Sequence, residues 1–236
     1  MPNSPARQPA RLINLKERLE VQGQRVRAVV DAAVEALFEN SHERADWVRD
    51  QEPEIDREDV LIERDAVDLI ADAVKSAETP LGPYEIRLIL TIVKVNNEFE
   101  RIADLAERSV SRMDSLATLP ERPPPTFRVM ANSVVGIMGT TCEAFAGMDP
   151  DLARLVLSSD DTTEAFRDEI VRDLERSLSR GAVTPDFAFS LNRVSAALAR
   201  MTDHCSNVAE QVIYVATGKI VRHGETAWTE PEEPRL

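Results

Sequence analysis

The sequence predicts an all-α protein made of two tandem, structurally similar three-helix bundles with spectrin-repeat-like packing, and three observations predict it. Long segments carry apolar residues at three- and four-residue steps, the period of helices with one buried face. The composition suits helices: 43% of the 236 residues are hydrophobic, only 5% are aromatic, and there are only 8 glycines. One of the periodic segments recurs ninety-nine residues later in the same register, the mark of an internal duplication.

Taken in order, residues 1–10 carry prolines and no apolar run and are expected to be disordered. The first bundle occupies 11–118. Its first helix is predicted from Arg11 or Leu12 to Phe38, with Leu15, Leu19, Val26, Val30, Val34, Leu37 and Phe38 on the apolar side. Asn40 with Glu43 has capping-box spacing, predicting a short helix to about Arg49 in which Trp47 anchors a turn. Glu52-Pro53 should interrupt it. A new helix then runs from Asp56 to Val74, with Val60, Ile62, Val67, Leu69 and Ile70 inward and Asp56, Asp59 and Glu63 forming an acidic set.

The turn Thr79-Pro80-Leu81-Gly82-Pro83 leads into a helix from about Tyr84 to Met113. Leu88, Ile92, Val95, Phe99, Ile102, Ala106, Val110 and Met113 form its core stripe. A second stripe changes character along the helix, from Ile86, Ile89 and Val93, which should be buried, to Asn97, Glu100, Asp104 and Glu107. Residues 119–125 contain Pro123-Pro124-Pro125, which cannot continue a helix and stiffen the chain as polyproline II. They form the linker.

The second bundle occupies 126–223. It repeats the plan with a helix from Phe127 to Gly147, a short one opened by Asp149-Pro150, a third from Thr163 to Ser179, and a fourth entered through Gly181 to Pro185. In the last, Leu191, Val194, Leu198, Met201, Cys205, Val208 and Val212 repeat the core stripe of the first bundle. Ile92 falls on Leu191, Val95 on Val194, Phe99 on Leu198, Ile102 on Met201 and Ala106 on Cys205. Arg101 and Asp104 are echoed by Arg200 and Asp203. Gly218 is placed to end that helix, and 224–236, rich in Glu and Pro, should be a flexible tail.

Glu100 through Ala106, and Arg200 through His204 followed by Asn207 to Tyr214, Gly218 and Arg222-His223, resemble the two signature helices of the PhoU family of phosphate-uptake regulators. The resemblance spans about Leu12 to His223. It implies a negative regulator of phosphate uptake and phosphate-responsive signalling that bridges a phosphate ABC transporter ATPase and a sensor histidine kinase. It also implies a cytoplasmic protein held at the inner face of the membrane by its partners. Assembly as a homodimer is left open. A regulator of a sodium-phosphate cotransporter is a second form of the same reading.

Charge bounds the partners independently. A net charge of −14 repels nucleic-acid phosphates and anionic head groups. Cys142 and Cys205 both fall among apolar helical positions, which predicts buried reduced thiols. No apolar run looks long enough to span a bilayer, so no direct membrane insertion is expected.

Oxygen ligands are the remaining chemistry. Glu100 and Asp104 are one turn apart on one face, where like charges repel unless a cation lies between them. With Asp59 and Glu63 on a neighbouring helix they form either a site for Mg, Mn, Fe or Zn or a solvated acidic face. The family resemblance implies metal at such E/D-x-x-x-D pairs. In the second bundle Ala199 stands where the motif wants Glu, leaving Asp203 with Glu169 and Asp173 as candidate ligands. His204 reads as a hydrogen-bond partner. No Gly-x-Ser-x-Gly, phosphate-binding loop or paired Glu-x-x-His set is present, so catalysis is not expected. A metal-binding carboxylate enzyme or a metal store is the alternative function.

Overall fold

The computed structural model describes residues 7–75, 80–117, 121–223 and 228–229. Six helices account for nearly all of them: α1 (Arg7–Glu39), α2 (His42–Lys75), α3 (Pro83–Ala117), α4 (Pro125–Gly147), α5 (Pro150–Ser179) and α6 (Pro185–Thr217). Helices α1 to α3 pack on one another, as do α4 to α6, and the two triplets join through α3 against α6 and α1 against α4. The result is two layers, with α2, α3, α6 and α5 side by side and α1 with α4 behind them. A two-residue antiparallel ladder pairs Arg222–His223 (β1) with Trp228–Thr229 (β2). Otherwise residues 224–236, the first part of the linker and the side chain of Met113 lie outside the described residues.

The two signature stripes form the seam. Ile92, Val95, Phe99, Ile102 and Ala106 are buried, and so are their counterparts Leu191, Val194, Leu198, Met201 and Cys205. The buried side chains of both triplets form one continuous core. Gly23 of α1 is part of that seam, because the Phe99 ring lies against its backbone and Cys142 donates from Sγ to its carbonyl at 3.4 Å. Both cysteines are buried free thiols, each pushed up to about 12 by burial first of all.

Several expected boundaries move. α1 begins at Arg7, earlier than Arg11. Asn40 ends α1 instead of opening α2: its φ is 53°, and the Ser41 amide donates back to the Ala36 carbonyl, closing a Schellman turn. Ser41 caps α2, its Oγ accepting from the Arg44 amide at 3.4 Å. Trp47 is exposed, and Ala45 and Val48 anchor that turn.

The interruption expected at Pro53 does not occur; the proline lies inside one 34-residue helix. Ala45, Val48, Ile55, Ile62, Ala66 and Leu69 keep a single buried face across it, so packing outweighs the backbone bond that proline cannot make. α5 is likewise one helix. The polar run Ser158 to Thr163 stays helical, with the hydroxyls of Ser158 and Ser159 bonding to the Leu155 carbonyl and that of Thr163 to Ser159.

Asp149 caps α5 as expected, accepting from the amides of Asp151 and Leu152. Gly218 ends α6 at φ 75°. Val60, Val67 and Ile70, expected inward, are exposed, as is Ile86, because the buried face of α2 runs through Ile62 and Leu69. α4 is long and apolar enough to cross a bilayer by length and composition, which corrects the expectation that no segment is. Most of its apolar side chains, among them Phe127, Met130, Ile137 and Phe145, are buried in the core, while Val129 is exposed.

Candidate functional site

The continuity of α2 through Pro53 aligns Glu52, Asp56, Asp59 and Glu63 on one stripe, with gaps of four, three and four residues. α3 runs antiparallel beside it and presents Asn97, Glu100, Asp104 and Glu107. Asn96, itself buried, fixes the register by donating from Nδ2 to the Asp59 carbonyl at 2.9 Å and to Asp59 Oδ1 at 2.7 Å. The carboxylates therefore confront each other across the α2/α3 groove.

Their electrostatics record this. Glu100 is raised above the ordinary carboxylate value by burial, then by Asp104, Asp56 and Asp59, with Arg101 opposing. Asp59 is raised by burial, then by Glu63 and Asp56. Glu52 is raised by burial, then by Asp56, Asp104 and Glu107. The structure thus brings Asp59, Glu100 and Asp104 to one patch. It adds Asp56 and Glu52, and places Glu63 at the edge, beside Asp59. Asp104 holds one counter-charge, Arg108, at 2.7 Å. Among the described residues, no three His, Cys, Asp or Glu side chains are arranged to hold a metal ion as they stand.

The second bundle differs. Asp203 is exposed on α6; its carboxyl is raised by partial desolvation, then by Glu164, while His204, Arg200 and Arg167 oppose. Glu164, and not Glu169 or Asp173, is the acidic group facing it from α5. Glu169 is exposed, and Asp173 pairs with Arg176 on its own helix. Ala199, at the position of Glu100, is buried, so no carboxylate stands one turn before Asp203.

His204 turns to the other repeat. Its Nδ1 is 2.6 Å from Glu98 Oε2, which also accepts from Asn207 Nδ2 at 3.1 Å. This half-buried cluster ties α6 to α3. Sequence predicts a hydrogen-bonding His204 but not its partner, because Glu98 lies off the carboxylate stripe and only the meeting of the two repeats brings it into reach.

The PhoU domain matches residues 19–113 and again 127–212. The chain belongs to the PhoU family. This is the duplication seen in the two stripes, and the family is one of regulatory accessory proteins rather than enzymes. The chain is 30% identical to a phosphate-specific transport system accessory protein PhoU homolog of Aquifex aeolicus over 88% of its own length and 92% of that protein. It is 28% identical to the Pseudomonas aeruginosa homolog, over 91% and 87%. The crystal structure of PhoU from Pseudomonas aeruginosa superposes with a TM-score of 0.82 at 26% identity, covering 89% of this chain and 99% of that one. The Streptococcus pneumoniae phosphate transport system regulatory protein PhoU shares the fold, with a TM-score of 0.83 at 16% identity.

Proposed function

We propose that this protein regulates phosphate transport by binding: it acts as an accessory of a phosphate-specific transporter, and adapts the transporter's ATPase to a sensor histidine kinase. The observation that carries the reading is the match along both repeats to proteins named as accessory proteins of a phosphate-specific transport system. The acidic groove supports a binding role, since it is open and holds carboxylates above their ordinary values by burial and mutual repulsion.

We infer further that the groove takes a divalent or iron cation. The donor set is chemically suitable, because hard cations take several carboxylate oxygens, although the side chains would have to rotate to converge. Glu100, Asp104, Asp59 and Asp56 would hold the ion, which supplies the positive charge that the patch lacks. A deletion strain carrying a phosphate-responsive reporter tests the regulatory role. Expression should stay high in phosphate-rich medium, and the chain should co-purify with the transporter ATPase. A normal phosphate response in the deletion strain would overturn the proposal.

A further inference from the structure

Each of the two facing stripes continues past the carboxylates into aliphatic residues. On α2, Asp59 and Glu63 are followed at the same steps by Val67, Ile70 and Val74. On α3, Ile86 and Leu90 lead through Val93 to Asn97 and Glu100. The Asn96–Asp59 register sets Val67 and Ile70 beside Leu90 and Ile86. Val67 is 59% exposed, Val74 82%, and Ile86 and Leu90 46% each. Single exposed aliphatic residues are ordinary, but a contiguous set on adjoining helices marks an interaction surface.

The other flank of α3 has the same polarity. A groove of about 630 Å³ runs across α3 from α2 to α6 and is lined by Asp59, Glu63, Glu98 and Gln211, and beside it a pocket of about 90 Å³ is lined by Leu90, Tyr214 and Ile220. Gln211 and Lys94 line both. Gln211 is only 8% exposed, and its Oε1 has no hydrogen-bond partner. A buried acceptor in a groove wall costs free energy until a donor reaches it.

We propose that the outer face of α3, with its flanks on α2 and α6, docks an amphipathic helix of a partner protein whose Lys and Arg residues occupy one half and whose aliphatic residues occupy the other. Charge complementarity selects this occupant. The acidic half repels nucleic acid and anionic lipid, whereas Lys or Arg would meet the carboxylates and offer Gln211 Oε1 a donor. A trough between parallel-lying helices accepts a helix through anchors at three- and four-residue spacing. From Ile86 to Asp104 the face is about 27 Å long at 1.5 Å per residue, room for about five turns. The inference names the chemistry of a partner and rests on the regulatory reading for the existence of one.

Fluorescence anisotropy with synthetic peptides tests it, using an 18-residue helical peptide with a block of Lys followed by a block of Leu, and a composition-matched peptide in which the two alternate irregularly. The block peptide should bind the full-length protein at least about tenfold more tightly, with Leu90→Ser weakening it by about tenfold. Glu63→Gln should weaken binding and flatten its salt dependence, and Gln211→Met should weaken it at unchanged salt dependence. All three positions are tested in proteins shown by circular dichroism to be folded. Equal affinity for the two peptides, no binding of either, or block-peptide affinity untouched by Leu90→Ser would overturn the proposal. A phosphate-blind deletion strain without peptide binding would sink the docking face alone; peptide binding with a normal phosphate response in that strain would sink the regulatory reading alone.

Discussion

Gly23→Ala should destabilise the protein even though it replaces a helix-interior glycine. Alanine is favoured over glycine in a helix by about 1 kcal/mol, and that gain is available at Gly136 on α4, where a Cβ would meet nothing within 4 Å. At Gly23 the added Cβ would lie 2.8 Å from Phe99 Cε2 and 2.9 Å from Cζ. Phe99 is fully buried and set edge-on to Phe145 with centroids 6.3 Å apart, so its ring has no open side to move into. Overpacking of this kind costs about 1–3 kcal/mol. Less the propensity gain, the net loss is up to about 2 kcal/mol, or up to about 4–8 °C in Tm for a chain of this size. Gly136→Ala should raise Tm by about 2–4 °C. Thermal unfolding followed by circular dichroism measures both, and Phe99→Leu, which shortens the side chain, should recover at least about 0.5 kcal/mol of coupling in a double-mutant cycle. A Gly23→Ala protein as stable as Gly136→Ala would refute the claim that α1 and α3 touch through Gly23.

Three further predictions address the carboxylates. Because Glu52, Asp59 and Glu100 all lie above their ordinary values, the folded chain holds these protons more tightly than the unfolded one. The penalty is full at neutral pH and is relieved as pH falls through the folded-state values toward about 4; the double variant Asp59→Asn, Glu100→Gln should therefore be more stable than wild type at pH 7 and show a flatter dependence in urea titrations between pH 7 and 5. Calorimetric titration with Mn²⁺ or Zn²⁺ should reveal one stronger class of site, weakened by Asp104→Asn and little changed by Asp203→Asn; equal sensitivity to the two changes would contradict the assignment to the first repeat. Glu98→Ala, which strips a half-buried partner from His204 and Asn207, should cost roughly 1–2 kcal/mol, seen as a lower urea midpoint, and an unchanged midpoint would show that this cluster does not hold the repeats together.

The parts of the fold legible in the sequence are those decided locally or by a strong period. The seam stripes, the Asp149-Pro150 cap and Gly218 as terminator are of that kind, since each depends on side-chain spacing or on a backbone conformation with few suitable residues. Pro53 and the run Ser158 to Thr163 were legible only as breaks. Their local cost is real, but a buried face continuing on both sides outweighs it, and that face is visible only when its packing partner is present. Reading Pro53 as a break also hid Glu52, because it put that carboxylate outside the helix that carries Asp56, Asp59 and Glu63. Val60, Val67 and Ile70 look like core by type. Their exposure follows from which side of α2 meets α1 and α3, a choice that residue type alone leaves open.

The duplication sharpens the reading of the acidic groove, because the two repeats offer the same backbone positions with different charge balance. In the second, Asp203 is opposed by Arg167, Arg200 and His204, and the place of Glu100 is taken by the buried methyl of Ala199. In the first, Glu100 has Asp104, Asp56 and Asp59 acting against it and Arg101 alone among the causes in its favour. A group held above its ordinary value by burial and neighbouring like charges gains free energy from any cation that arrives, whether a metal ion or a lysine. Asp203 already draws much of that stabilisation from its own arginines and has less to gain. One scaffold therefore carries two copies of the same helix pair with different charge balance, and the first, with more carboxylates against fewer counter-charges, is where an external positive charge is worth most.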